Sequence, residues 1–134
     1  MTIPFGYSYL LDMYGCKDGI CEDLSAIYRF LESLVESLGM TPIAPPVVFL
    51  APRKNGVELF PDKVGVSGWA PLIESGIQIH CVEPAHFISL DVFSCRAFNQ
   101  QVVYEPALLR FGFTNCEEQF FHRGTSFPRE RIQP

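Results

Sequence analysis

No CxxC pair occurs among the five cysteines, Cys16, Cys21, Cys81, Cys95 and Cys116, and none of their spacings matches a zinc-binding pattern. A structural metal is therefore not expected, because Cys- and His-based tetrahedral sites draw on ligands grouped at short, regular intervals. No apolar run approaches the ~20 residues of a membrane-spanning helix. The opening Met1-Thr2-Ile3-Pro4-Phe5-Gly6 lacks the basic stretch and long apolar run of a secretion signal. Basic residues are scarce: ten Lys and Arg stand against fifteen Asp and Glu, a formal net charge of −5. That balance argues against a nucleic-acid partner, which needs a basic face. No run of like charges marks a tail, and no internal repeat or low-complexity stretch is present. These absences together leave a soluble cytoplasmic domain with reduced thiols, with neither membrane nor nucleic acid as a partner.

What the chain has is apolar and aromatic content. Its 134 residues are 48% hydrophobic, with twelve Phe and five Tyr, enough for one well-filled core in a single domain over residues 1–134. Gly6 to Tyr14 reads as a first strand, followed by a turn from Gly15 to Gly19. Leu24, Ile27, Tyr28, Leu31, Leu34, Val35 and Leu38 recur at steps of three and four, which predicts an amphipathic helix capped at Gly39. Pro42 and Pro45-Pro46 restrict the next strand to Val47–Leu50, near a sheet edge. Asn55-Gly56 is a hairpin turn signal, with Val57 to Phe60 expected to resume the strand and Pro61-Asp62-Lys63 to break it. Val64 to Ile73 and Ile77 to Val82 are apolar segments flanking Glu74-Ser75-Gly76. A loop is expected at Glu83–His86, then a strand from Phe87 to Cys95. A second helix is expected within Gln100 to Arg110, its start limited by Pro106, then a last strand from Glu117 to His122 and an irregular tail from Gly124 to Pro134. The fold class is α+β: a two-layer sandwich, a mainly antiparallel sheet with helices on one face.

The chemistry gathers around Glu74-Ser75. A serine hydroxyl can attack the carbonyl carbon of the peptide bond before it, turning the amide into an ester. Removal of the Ser75 α-proton then expels the upstream chain and leaves dehydroalanine, which hydrolyses to a pyruvoyl group. Such a route needs a donor for the tetrahedral oxyanion and a base for the α-proton. Ser67 and His80 are placed to share these tasks, and spacing alone does not divide them. Singly, each of these residues is commonplace: serines end strands, a lone His is more often a core or edge residue, and a lone Cys is a small buried hydrophobe. Cys81 beside His80 is not read as a nucleophile, since adjacent strand residues face opposite ways. His86 and His122 have no evident partner.

As an ordered set, Gly65-Val66-Ser67-Gly68, Glu74-Ser75, Ile77-Gln78-Ile79-His80 and Asp91-Val92-Phe93-Ser94-Cys95 resemble the short prokaryotic S-adenosylmethionine decarboxylase proenzymes. Asp12, Tyr14 and Cys16 within Gly6–Cys16, and Arg123-Gly124, extend the resemblance over most of the chain. It implies cleavage between Glu74 and Ser75, with Ser75 becoming a covalent pyruvoyl cofactor. Ser67 and His80 would assist processing, and Cys95 would be the acid that protonates the substrate carbon. The pyruvoyl carbonyl would take the substrate amine as a Schiff base and accept the electrons released with CO₂. Phe60 and Glu83 are the implied substrate-binding residues. A homodimer with active sites near the subunit interface is also implied.

The chain departs from the family pattern at three places. Gly76 stands where the family has His after the cleavage serine, and Ser8 where the first strand has His. Cys81-Val82-Glu83-Pro84 stands for Thr-Trp-Pro-Glu, so Glu83 is displaced by one position. The expected function is decarboxylation of S-adenosylmethionine for spermidine synthesis. Two alternatives stay open: a pyruvoyl-dependent decarboxylase of another amino acid, arginine or ornithine, and an unprocessed homologue that binds a ligand or partner without catalysis.

Overall fold

The computed structural model describes residues 3–131; Met1 and Thr2 of the opening segment and 132–134 of the expected tail lie outside the described residues. The chain runs β1 (Gly6–Tyr14), α1 (Leu24–Leu38), β2 (Val47–Leu50), β3 (Arg53–Lys54), β4 (Val57–Glu58), β5 (Val66–Leu72), β6 (Ser75–Val82), β7 (Phe87–Ser94), α2 (Gln101–Phe111) and β8 (Asn115–Arg123). Six strands form one sheet in the order β2-β5-β6-β7-β1-β8, every pairing antiparallel. Strands β3 and β4 make a separate hairpin, whose turn residues Asn55 and Gly56 both hold positive φ, 53° and 76°.

Period-two alternation decides which face of the sheet is covered. Tyr9, Leu11 and Met13 of β1, Ile77, Ile79 and Cys81 of β6, and Ile88, Leu90 and Val92 of β7 are buried. They pack with Ile27, Phe30, Leu31 and Leu34 of α1 and Val103, Ala107 and Phe111 of α2 in one core. Among the described residues no helix lies on the opposite face. It presents Val47 and Phe49 of β2, Trp69 of β5 and Phe121 of β8 to solvent.

Helix α1 starts where Asp23 accepts a hydrogen bond from the Ala26 N–H, an N-cap that satisfies one of the free donors of the first turn. It ends at Gly39, whose φ of 65° is the left-handed conformation glycine adopts without steric cost. Met40 N–H then reaches back to Val35 O.

Three expectations are corrected. The segment Val57 to Phe60 is strand only over Val57–Glu58, because Leu59 turns its N–H to Pro52 O and closes the hairpin early. Pro106 does not mark a helix start but lies inside α2. The proline deletes one intrahelical bond, while Val103 and Ala107 on either side of it are fully buried and hold the helix on the core. His86 does have partners: its Nδ1 lies 3.3 Å from Asp18 Oδ1 and 3.9 Å from Glu83 Oε2.

Candidate functional site

Ser75 is the first residue of β6, opposite Leu72 on β5 and Ser94 on β7. Ile73 and Glu74 form the two-residue loop between β5 and β6. The Ser75 φ is 145°, a region that L residues avoid and that costs ~1–3 kcal/mol to hold. The Glu74 carbonyl oxygen, the one belonging to the Glu74–Ser75 peptide bond, accepts a hydrogen bond of 2.8 Å from the Cys95 backbone N–H. A strained serine therefore follows a carbonyl already polarised by a fixed donor. The end of β7 is also packed against the start of β1: a Cβ on Gly6 would clash with Ser94 O and sit 3.0 Å from Cys95 Cα.

The Glu74 side chain is also fixed. Its Oε1 accepts from Thr41 N–H at 2.9 Å and its Oε2 from Thr41 Oγ1 at 3.0 Å. The Thr41 N–H bond is the main cause holding the Glu74 carboxyl below the usual carboxylate range, with the Arg96 charge adding a smaller push.

Ser75 borders a cavity of about 580 Å³ on the helix-free face, lined also by Trp69, Gln78, Asp91, Phe93 and Arg123. Burial pushes the Asp91 carboxyl above its ordinary value, and the neighbouring Asp12 carboxylate pushes it the same way. Arg123 crosses this face with its guanidinium 4.7 Å from the Phe93 ring centre and donates to Ser8 Oγ at 3.1 Å. That contact accounts for one departure from the family pattern: at position 8 a small hydroxyl receives an arginine.

Ser67 and His80 face each other across β5 and β6, and Ser67 Oγ and His80 Nδ1 share a hydrogen bond of 2.9 Å. They border a second cavity on the same helix-free face, with Val47, Phe49, Trp69 and Gln78. One chain does not bring this pair to Ser75. Ser75 and His80 are separated by five positions along a continuous strand, about 16 Å at a ~3.3 Å rise per residue. Trp69 borders both cavities. A Cβ on Gly76 would meet Trp69 Nε1 at 3.0 Å, so the indole takes the space beside position 76 and the missing side chain there is matched by a neighbour.

Phe60 and Glu83 are not beside Ser75 either. Phe60 is exposed and caps the turn Pro61–Lys63. Glu83 lies beyond the far end of β6, where its carboxylate accepts the N–H groups of Gly19 and Cys21 at 2.9 and 3.1 Å. Asp18, Glu83 and His86 bring three potential ligand atoms within 4.8 Å of one another, a grouping absent from any sequence motif and already explained by the His86 ion pairs. Sequence reasoning missed Thr41 and Trp69, and read Arg123 only as part of the Arg123-Gly124 resemblance. Thr41 carries no local signal, whereas Trp69 is the single tryptophan in the chain.

Known proteins resemble this chain in sequence and in fold. A family model described as S-adenosylmethionine decarboxylase matches residues 7–124. An S-adenosylmethionine decarboxylase proenzyme of Methanococcus maripaludis is 29% identical over 90 residues, which are 67% of this chain and 65% of that protein. The chain thus matches a little under two thirds of that relative's length. A proenzyme of the same name from Clostridium botulinum is 29% identical over 67% of this chain and 68% of its own length. The crystal structure of the adenosylmethionine decarboxylase from Aquifex aeolicus shares the fold, with a TM-score of 0.71 at 20% identity, covering 90% of this chain and 92% of that one.

Proposed function

Because the chain belongs to the S-adenosylmethionine decarboxylase family, we propose that it is a proenzyme that cuts itself between Glu74 and Ser75 and then decarboxylates S-adenosylmethionine for polyamine synthesis. The observation that carries this reading is the junction itself: a non-glycine residue at φ 145° follows a carbonyl held by the Cys95 N–H. Ser75 Oγ adds to the Glu74 carbonyl carbon, and the Cys95 N–H faces the oxygen on which negative charge develops. The C–N bond breaks, the nitrogen takes the hydroxyl proton, and an ester remains. A base removes the Ser75 Cα proton, the Cβ–Oγ bond breaks, and Glu74 leaves as a free carboxylate. Water then hydrolyses the resulting enamine, through its imine, to a carbonyl and ammonia.

The residues around position 75 fit a pyruvoyl group there. Conversion would remove the nitrogen that defines the strained φ, and Ser75 lines a cavity together with Asp91 and Gln78, which would surround the group. When formed, that group supplies an electrophilic carbonyl and an electron sink for decarboxylation. In this reading Cys95, the residue after the last position of β7, is the acid that returns a proton to the substrate carbon. The five free thiols suit a reducing cytoplasm.

The working unit is a homodimer built on the helix-free face. Two observations support it. That face leaves Phe49 68% and Trp69 52% exposed, large apolar side chains of the kind that mark an interface. Ser67 and His80 share it with Ser75 at a distance no single chain closes, whereas a two-fold interface places each patch against a different patch of its mate. One chain's Ser67–His80 pair then serves its partner's Ser75, and the exposed Phe60 is free to approach the other chain's pocket, whereas Glu83 stays held by the Gly19 and Cys21 N–H groups. Dilution tests the dimer through the lone tryptophan: Trp69 emission shifts to the red as dimers dissociate. Emission that stays constant across the concentration range in which sedimentation shows dissociation would remove Trp69 from the interface.

Intact-mass measurement tests the cleavage. The expected result is two fragments divided between residues 74 and 75, the second lacking a free amine at its N-terminus. Ser75→Ala remains a single uncut chain. A wild-type chain that stays whole after long incubation rejects the reading in favour of a non-catalytic homologue. Release of CO₂ from arginine or ornithine in place of S-adenosylmethionine would reassign the substrate.

A further inference from the structure

The geometry assigns to Thr41 a positioning role in self-cleavage, an inference that rests on the maturation reading above. Thr41 makes three hydrogen bonds to the loop that is cut. Its carbonyl accepts from the Ile73 N–H at 2.9 Å, and its N–H and Oγ1 hold the two carboxylate oxygens of Glu74 at 2.9 and 3.0 Å. The residue before the scissile bond is thereby gripped by its side chain and by the backbone just upstream. Its carbonyl oxygen is held separately by the Cys95 N–H.

These contacts close into a ring. Thr41 follows the C-terminal cap of α1 at Gly39. Arg96, the residue after Cys95, donates from Nη2 to Leu38 O and Gly39 O at 2.9 and 2.8 Å. The end of α1, the Ile73–Glu74 loop and the end of β7 are thus tied to one another, and the scissile carbonyl lies within the ring. A two-residue loop left to itself samples several carbonyl orientations. With both ends of Glu74 anchored, only the orientation facing the Cys95 N–H remains, and an attacking group gains rate when its target is held in one geometry. The same grip accounts for the residue type before the serine. A glutamate reaches both Thr41 donors, while Ala at position 74 reaches neither.

Thr41→Val keeps shape and the backbone bonds but deletes the hydroxyl donor. It slows the appearance of fragments from pulse-labelled full-length chain by about tenfold, the scale of one hydrogen bond to a charged group. Hydroxylamine, which intercepts the ester formed from Ser75, releases correspondingly less product at early times, locating the loss in the acyl shift. Thr41→Ser restores the rate. Glu74→Gln, which keeps the reach to both Thr41 groups but loses the charge, cleaves at a rate between wild type and Glu74→Ala, and Glu74→Ala is slower than Thr41→Val. The Glu74 pair decides the matter by itself if Thr41→Val fails to fold. Wild-type rates in Thr41→Val and Glu74→Ala, with wild-type chain cleaving normally, overturn the positioning role and leave the maturation reading standing. A wild-type chain that never cleaves overturns both.

Discussion

Mixing two chains that each fail to mature, one carrying Ser75→Ala and the other His80→Ala, restores cleavage. The expectation follows from distance. His80 lies five strand positions from Ser75 on its own chain, so in the proposed dimer the His80 that serves a given Ser75 belongs to the mate. In a mixed dimer the His80→Ala chain keeps its own Ser75 and faces the intact Ser67–His80 pair of the Ser75→Ala chain. Random exchange of subunits puts about half of the His80→Ala chains in such dimers, the fraction set by equal mixing in a two-fold assembly. The Ser75→Ala chains remain whole throughout. Co-refolding two chains of distinguishable mass and weighing the products reads both outcomes together. Efficient maturation of His80→Ala alone would remove His80 from processing. No cleavage in the mixture, with dimers demonstrably formed, would place the missing groups within one chain and contradict the distance argument.

Cys95→Ala separates the two halves of the activity. The bond that polarises the scissile carbonyl comes from the Cys95 backbone N–H, and alanine retains it. Cleavage at Glu74–Ser75 therefore proceeds at close to the wild-type rate. The thiol is gone, however, and with it the proposed acid that returns a proton to the substrate carbon. Turnover falls by about 10²–10⁴, the usual contribution of a positioned proton donor. Intact mass reports the first step and CO₂ release the second. Loss of both steps would mean that the side chain also acts in maturation. Retention of full turnover would transfer the proton-donor role to a residue lining the cavity beside Ser75, such as Asp91, whose carboxyl is held above its ordinary value.

Strand and helix signals local to the sequence were readable to within a residue or two. β1 and α1 follow the predicted limits because alternation in Gly6–Tyr14 and the three-four spacing from Leu24 to Leu38 are each uninterrupted. Pro106 misled because a missing N–H weakens a helix only if nothing else secures it, and Val103, Ala107 and Phe111 do secure it. Of the proposed site residues, Ser67, Glu74, Ser75, His80 and Cys95 were legible as an ordered set. Their distribution over two cavities was not, because it depends on the β5–β6 register and on an uncovered sheet face. Thr41 was invisible for a related reason: its contact with Glu74 spans 33 positions and is made mostly by backbone and hydroxyl groups that any loop possesses.

Cutting at residue 74 leaves two fragments whose strands interlace. The first contributes β1, β2 and β5, the second β6, β7 and β8. Across the sheet the order β2-β5-β6-β7-β1-β8 passes from the first fragment to the second at β6 and returns to the first at β1, so β1 of the first is threaded between β7 and β8 of the second. No single seam separates them, since parting requires breaking β5 from β6 and withdrawing β1 from both neighbours. Topology therefore keeps the severed molecule whole without a covalent link. It also makes assembly directional in time. The uncut chain folds as one body, whereas denatured fragments face a second-order search to thread a central strand between two others, so the matured form is maintained by the slowness of its unfolding.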